Sequence, residues 1–313
     1  MTALISLLAV FSYVSFFFFI IALMLNIRKY AVTPTHLRWE LYPVPSEAEH
    51  EHGGSFLEHV DWWKNKVEVK IGSELKELFK EMLFIKRLFN SKRKYWYLSF
   101  LFHGGIYMIL GWFLFIFIGG IMVTGSVSGL LFQAVFYITL AFGYIGVISA
   151  TAGGIGLVIA RYSDGNLSDL SAPVDGFNLI FALAVMISGI FALSYDPYFN
   201  IARDFMAYLI SGMGYVLPVK FSIAFYPATT IQLILLCCFL IYVPFSRLTH
   251  FLGKYFTYHA VMWNSEPSMQ REIFSEKYDK RIKSNLEMKV PWSGPHVPNG
   301  KKWEEVSKSE ESN

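Results

Sequence analysis

Five stretches of the chain are apolar over roughly 20 or more residues, the length that an α-helix needs to cross about 30 Å of hydrocarbon. Soluble domains rarely contain such segments, and the composition agrees, because 54% of the residues are hydrophobic and only 16% are charged. The pattern therefore predicts an all-α fold, an integral membrane five-helix bundle. The predicted spans lie near residues 3–26, 96–122, 131–160, 174–195 and 222–249.

Lysine and arginine set the predicted direction of the spans, because cytoplasmic loops carry an excess of these residues. Of the 27 in the chain, 13 lie in residues 27–95, one follows the third span, two lie between the fourth and fifth, and 11 lie at or beyond the end of the fifth. The protein is therefore expected in the cytoplasmic membrane with a first span at residues 1–27 and its N-terminus outside. The long loop 28–95 and the C-terminal tail 253–313 are expected in the cytoplasm. The net charge of +3 gives no indication of nucleic-acid binding.

The long loop contains a predicted amphipathic helix at about residues 74–90. This helix lies on the membrane surface, which is the favoured interpretation, or docks a partner. Between the fourth and fifth spans, segment 197–220 is interrupted by Gly and Pro and is predicted to form an interfacial turn or short helix on the outside. Six apolar residues of the amphipathic stretch recur at helical spacing, namely Leu75, Leu78, Phe79, Met82, Ile85 and Phe89.

A histidine, His103, interrupts the second predicted span. An ionisable group inside a membrane is energetically expensive, so a functional role and a partner are expected. The predicted partner is His250, at the end of the fifth span. Because the second and fifth spans run in opposite directions, both histidines fall in the cytoplasmic half of the bundle. Arg247 precedes His250 by three residues and is expected on the same helix face.

Two facing imidazoles beside a small residue match what a haem requires, namely two axial nitrogens and room for a flat ring. Gly104 is expected to supply that room, and Arg247 is expected to meet haem propionates at the cytoplasmic edge. The alternative for His103 is a hydrogen-bonded core histidine, and the alternative for Arg247 is an ordinary positive flank. His259 is the competing axial ligand to His250 and lies further from the bilayer.

Further small residues border the same region. Gly105, like Gly104, is expected to supply room for the ring, and the stretch SATAGGIGLVIA in the third span could bring that helix close to the ring or to another helix. Close packing of one helix on another explains the same glycines equally well. Both interpretations stay open at the level of the sequence. The small residues of the stretch are Ala150, Ala152, Gly153, Gly154 and Gly156.

At these motifs the sequence resembles the gamma subunit family of respiratory nitrate reductase, five-helix cytochromes b that anchor a cytoplasmic enzyme and oxidise quinol. FHGGIYMILGWF in the second span and PFSRLTHF at the end of the fifth carry the resemblance, within a shared plan of residues 96–252. The loop motifs THLRWELYPVP and VDWW look closer to the branch that serves heterodisulfide-reductase-like and sulfite-reductase-associated iron–sulfur proteins. The resemblance implies that His103 and His250 hold the haem nearer the cytoplasm.

The family pattern includes an outer haem, whose two ligand positions correspond here to Phe113 and Gln232. Neither is a normal haem ligand, so one haem b is expected, on the cytoplasmic side. The implied function is electron transfer between a membrane quinone, expected to be menaquinone, and a cytoplasmic iron–sulfur subunit. The alternative is a haem-free membrane anchor or a small transporter. A transporter is disfavoured because the sequence has no clear internal repeat and no paired broken helices.

Overall fold

A computed structural model of the chain describes residues 2–33, 44–47, 53, 58–64, 70–169, 171–218, 227–263, 272–292 and 299–308. Among these residues the regular secondary structure is helical, and an isolated antiparallel bridge pairs Lys289 with Lys302. The loop motif THLRWELYPVP lies almost entirely outside the described residues, and so does the predicted start of the fifth span.

Five helices are long and apolar enough to cross a membrane, which confirms the predicted all-α membrane fold. The protein is therefore a multi-pass membrane protein. The fifth helix is followed directly by a 3₁₀ turn, Val243–Phe245, which carries the apolar segment further. The five α-helices are Thr2–Val32, Arg93–Thr124, Leu130–Ser163, Pro173–Leu193 and Pro227–Tyr242, called here the first to fifth spans.

Shorter helices connect and extend the spans. The predicted amphipathic helix is present as two helices, because Ile85 adopts a left-handed conformation with φ 52° between them. The segment predicted to form a turn or short helix after the fourth span contains an 11-residue helix. The shorter α-helices are Ile71–Phe84, Lys86–Ser91, Gly165–Asp169, Asn200–Ile210, His250–Phe256, Glu272–Glu287 and Trp303–Lys308.

The chain divides into two compact units. The first unit comprises Met1–Ile27 and Ile71–Lys254, and it contains the second to fifth spans and most of the first. The second unit comprises Arg28–Lys70 and Tyr255–Asn313. The long predicted loop is thus divided near residue 70, because its helical second half belongs to the same unit as the bundle.

Glycines set the distance between the second and third spans. A Cβ on Gly105 would lie 2.7 Å from the Cα of Ala150, and a Cβ on Gly153 would lie 2.8 Å from the Cα of Phe102. Neither distance is possible for a real side chain, so the two backbones approach as closely as they do because both residues are glycine. Close helix packing, one of the two interpretations of these small residues, is therefore what the structure shows at Gly105 and Gly153.

A carboxylate joins the start of the second span to the end of the third. Asp164, directly after the third span, accepts hydrogen bonds from the Lys94 ammonium at 2.8 Å and from the Tyr95 hydroxyl. These bonds lower the pKa of Asp164 from 3.8 to about 2. A carboxyl group whose pKa is depressed by folding stabilises the folded state above its ordinary pKa and loses that effect as the pH falls through the depressed value.

Replacing Asp164 by asparagine should therefore lower the thermal unfolding temperature of the detergent-solubilised protein at pH 5 to 7. The effect should be a few degrees at most, because the Lys94 partner is exposed. Below pH 3.8 the difference between wild type and variant should shrink, so that only a small part is left near pH 2 and the rest is lost below it. The measurement is unfolding temperature against pH for both proteins, and a difference that stayed constant to pH 2 would contradict the assigned hydrogen bonds.

Candidate functional site

The second span carries His103 ten residues after its start, and its own backbone orients the ring. The Nδ1 atom of His103 lies 2.7 Å from the carbonyl oxygen of Ser99, one turn earlier in the helix. Because a carbonyl oxygen can only accept, Nδ1 must carry the proton of the neutral imidazole. The Nε2 atom then keeps its lone pair, which is the arrangement found for metal-binding histidines whose other nitrogen is held by a backbone carbonyl.

The fifth span ends earlier than the sequence suggests. Its α-helix stops at Tyr242, a 3₁₀ turn contains Pro244, and Ser246 is extended with φ −107° and ψ 168°. Proline lacks a backbone N–H and cannot continue the helical hydrogen bonds, and the Ser246 hydroxyl then accepts the N–H of Leu248 to begin the next turn. The expectation that the fifth span continues as one helix to residue 249 is therefore wrong.

A new helix begins at His250, after the 3₁₀ turn Arg247–Thr249. Arg247 and His250 consequently do not share one face of a continuous α-helix, as the three-residue spacing had predicted. They are linked through the backbone, since His250 Nδ1 lies 3.2 Å from the carbonyl oxygen of Arg247. By the same reasoning as for His103, this contact places the proton on Nδ1 and leaves Nε2 of His250 able to bind a metal.

The structure brings His103 and His250 together. Their ring centroids are 6.0 Å apart and their ring planes are nearly perpendicular, at 85°. An imidazole nitrogen bonds a first-row metal at about 2 Å and the ring centre lies about 1 Å behind it, so two axial imidazoles place their centres about 6 Å apart. The observed separation is compatible with a single metal atom between the two rings, and it also falls in the range of an ordinary edge-to-face ring contact.

The two glycines next to His103 have different surroundings. Leaving aside its two chain neighbours and the nearby backbone of its own helix, no described atom lies within 4 Å of the position that a Cβ on Gly104 would occupy. Gly105, in contrast, is buried against the backbone of Ala150. A side chain at position 104 therefore has open space, whereas Gly105 serves the contact between the second and third spans.

Arg247 lies at the same end of the bundle and pairs with an acidic residue of the fourth span. Its Nη1 atom is 3.0 Å from Oδ1 and 3.1 Å from Oδ2 of Asp175, and Arg161 approaches the same carboxylate at 3.8 Å. The side chain of Arg247 is 66% exposed. Since a guanidinium has five N–H donors, its pairing with Asp175 leaves donors for a second carboxylate. A contact between Arg247 and haem propionates therefore stays a prediction.

The helix Ile71–Phe84 packs against the part of the bundle that carries the two histidines. Glu81 on this helix is 6% exposed and accepts from the ammonium of Lys254 at 2.6 Å, one turn after His250. The hydroxyl of Tyr107, one turn after His103, donates to the carbonyl oxygen of Met82 at 2.6 Å. Both histidine-bearing segments are therefore tied to the same helix.

Sequence reasoning did not identify these supporting residues. Asp175 and Glu81 are ordinary charged residues near the ends of apolar or amphipathic stretches, and their partners lie far away in the chain. One signal was present for Glu81, because it follows Leu78 by three residues and thus shares the buried face of the helix. No comparable local signal pointed to Asp175.

The remaining candidate positions have neighbours of their own. Gln232 accepts a hydrogen bond from the hydroxyl of Ser188 in the fourth span, and the ring of Phe113 contacts Trp112 at 4.8 Å between centroids. His259 belongs to the second compact unit, where its ring stacks on Tyr255 at 5.2 Å. The expectation of one haem rather than two stays a prediction.

The number of protein ligands also bears on the group that the pair can hold. Among the described residues, no group of three or more His, Cys, Asp or Glu side chains could hold a metal ion. A structural zinc site needs about four protein ligands, whereas a haem iron needs at most two, because the porphyrin supplies the other four nitrogens. His103 and His250 would supply the two protein ligands that a haem iron needs at most.

Comparisons with protein-family models, with curated proteins and with solved structures found no match. The resemblance to the nitrate reductase gamma subunit family is therefore a prediction from the sequence motifs alone. What the chain does must be argued from its own residues, above all from the geometry of His103 and His250.

Proposed function

We propose that the chain is a cytochrome b subunit of a membrane oxidoreductase complex, with one haem b between His103 and His250. It passes electrons between the quinone pool, with menaquinone as the expected carrier, and a cytoplasmic iron–sulfur subunit of the heterodisulfide-reductase-like type. The end of the bundle that carries the two histidines faces the cytoplasm in this proposal, and the N-terminus lies outside. The proposal extends to membership of the nitrate reductase gamma subunit family.

One observation carries the haem assignment. The ring centres of His103 and His250 are 6.0 Å apart, which is the separation expected for two axial ligands of one iron. Two further features support it. Both Nδ1 atoms are held by backbone carbonyls, which leaves both Nε2 atoms free to bind, and Gly104 leaves room beside His103.

The chemistry is divided between the cofactor and the protein. A bound haem supplies one-electron transfer through its iron. The chain orients both imidazoles through Ser99 and Arg247, and it ties the helix after the fifth span to the bundle through Glu81 and Lys254. These contacts hold the two imidazoles in place without a cofactor, so His103 and His250 would be oriented in advance to hold a haem.

A reduced-minus-oxidised absorption spectrum of the purified protein tests the proposal. We expect the bands of a b-type haem and a content of one haem per chain in a pyridine extract. A protein purified from cells with ample haem that shows no such bands would refute the proposal and leave the haem-free membrane anchor. Two haems per chain would refute the single-site assignment and would implicate residues other than Phe113 and Gln232 in the second site.

A further inference from the structure

The helix Ile71–Phe84 presents apolar side chains away from the bundle. Leu75, Phe79 and Leu83 are spaced four residues apart and form one stripe along the helix. They are 45%, 59% and 44% exposed. Such a row on a water-facing helix would be unfavourable, because each large apolar side chain gains about 1.5–3 kcal/mol from full burial. The stripe therefore needs an apolar environment.

The other faces of the same helix are occupied differently. Glu74, Leu78 and Glu81 are buried on one side, on which Glu81 pairs with Lys254 at the end of the bundle. Lys76 and Lys80 are exposed on a third side. At 100° per residue, the apolar stripe lies between the bundle side and the lysine side. Going around the helix, the bundle side comes first, then the apolar stripe, then the lysines. An amphipathic helix that lies at the membrane boundary and packs against its own protein has this order of faces.

Two hydrogen bonds fix the depth of the helix against the second span. The hydroxyl of Tyr107 donates to the carbonyl of Met82, and the indole N–H of Trp96 donates to the carbonyl of Phe84 at 2.7 Å. Tyr107 lies 14 residues beyond the start of the second span at Arg93, about 20 Å along the helix axis. Helical tyrosines lean back toward the N-terminus, so Met82 lies somewhat nearer the start of the span than Tyr107 does.

We infer that Leu75, Phe79 and Leu83 insert into the acyl-chain region of the membrane. The second span is 32 residues long, or about 48 Å, and so exceeds the hydrocarbon thickness by about 18 Å in total. The part of the span outside the hydrocarbon at its cytoplasmic end is therefore at most about 18 Å long. Because Met82 lies a similar distance from the start of the span, it lies near the hydrocarbon boundary and not beyond the headgroups. The second span also exposes apolar side chains near its start, because Tyr97 and Leu101 are 60% and 40% exposed.

The lysines of the same helix fit this placement. Long cationic side chains reach from the hydrocarbon boundary toward the headgroups, where anionic lipids attract them. The inference resolves the two interpretations of the amphipathic stretch in favour of lipid over a docked protein. It holds whether or not the protein binds haem, since it depends on the packing of this helix alone.

Spin labelling of the full chain in phosphatidylcholine and phosphatidylglycerol vesicles tests the inference. Single cysteines at positions 75, 79 and 83 would be placed in a background without Cys237 and Cys238 and labelled with a nitroxide. We expect each label to collide more often with oxygen, which concentrates in lipid, than with a water-soluble nickel complex. Labels at positions 76 and 80 of the same helix are the matched controls and should show the reverse preference.

Two results would overturn the inference. Labels at positions 75, 79 and 83 that preferred the nickel complex would place the stripe in water, and labels shielded from both reagents would place it under protein. A second measurement on the unmodified protein guards against effects of the substitutions. A lipid with a photoactivatable group in its acyl chain should cross-link within residues 75–83, and the absence of cross-links there, with cross-links present on the second span, would contradict the inference.

Discussion

Replacing His103 by alanine should abolish haem binding, so that the purified variant contains essentially no haem, whereas the proposed function predicts one per chain for the wild type. The reason is that the protein makes two bonds to the iron in a bis-histidine site, and the substitution removes one of them. The backbone carbonyl of Ser99 holds the ring of His103. Among the described residues of the compact unit that contains the bundle, the one other histidine is His250, which is already the second proposed ligand. The measurement is haem per chain by pyridine extract, together with the reduced-minus-oxidised spectrum.

The same loss is expected for His250→Ala, whereas His259→Ala should keep full haem. This set separates the two candidate ligands, because His259 lies in the other compact unit and stacks on Tyr255. Helix content and elution as a single species should be unchanged in all three variants, which excludes unfolding as the cause. Loss of haem from His259→Ala with retention in His250→Ala would show that the wrong histidine has been assigned.

The sequence predicted the bundle well because the constraint on it is local. Each span must be apolar over its own length, and the opposite directions of the second and fifth spans already bring His103 and His250 to one end. The separation of 6.0 Å could not be predicted, since it depends on the break at Ser246 and the restart of the helix at His250. A prediction from hydrophobic periodicity alone extends the helix through such a break.

Charged contacts between distant segments were the second kind of feature that the sequence could not supply. Lys254 and Glu81 are 173 residues apart, and Arg247 and Asp175 are 72 apart. Each residue is unremarkable in its own segment, because lysine, arginine and acidic side chains are common near the ends of spans. Only the packing of the segments identifies which of them support the histidines, so the partners of Arg247 and Lys254 came from the structure.

Adjacent glycines give a matched pair of variants for the site. Gly105→Ala should destabilise the protein by about 3 kcal/mol or more, at the upper end of overpacking, since the new Cβ would meet the backbone of Ala150 and neither helix backbone can yield locally. Gly104→Ala meets no described atom within 4 Å and should stabilise the apoprotein slightly, because alanine is about 0.5–1 kcal/mol better than glycine inside a helix. Thermal unfolding of both variants, prepared without haem, measures these effects.

Substitutions at Gly104 and Gly105 should fall in a different order when ranked by haem content than when ranked by stability. A larger side chain at Gly104 enters the space beside His103 that the proposed ring occupies, so Gly104→Leu should lose most of its haem while its apoprotein stays folded. The loss must come from the ring's space, because the Ser99 contact that orients His103 is untouched by this substitution. Retention of one haem per chain in Gly104→Leu would mean that the ring lies on another side of the histidine, even if both imidazoles bind the iron. Destabilisation of Gly104→Ala as large as that of Gly105→Ala would show that the two glycines share one packing role, contrary to the distinct surroundings found for them.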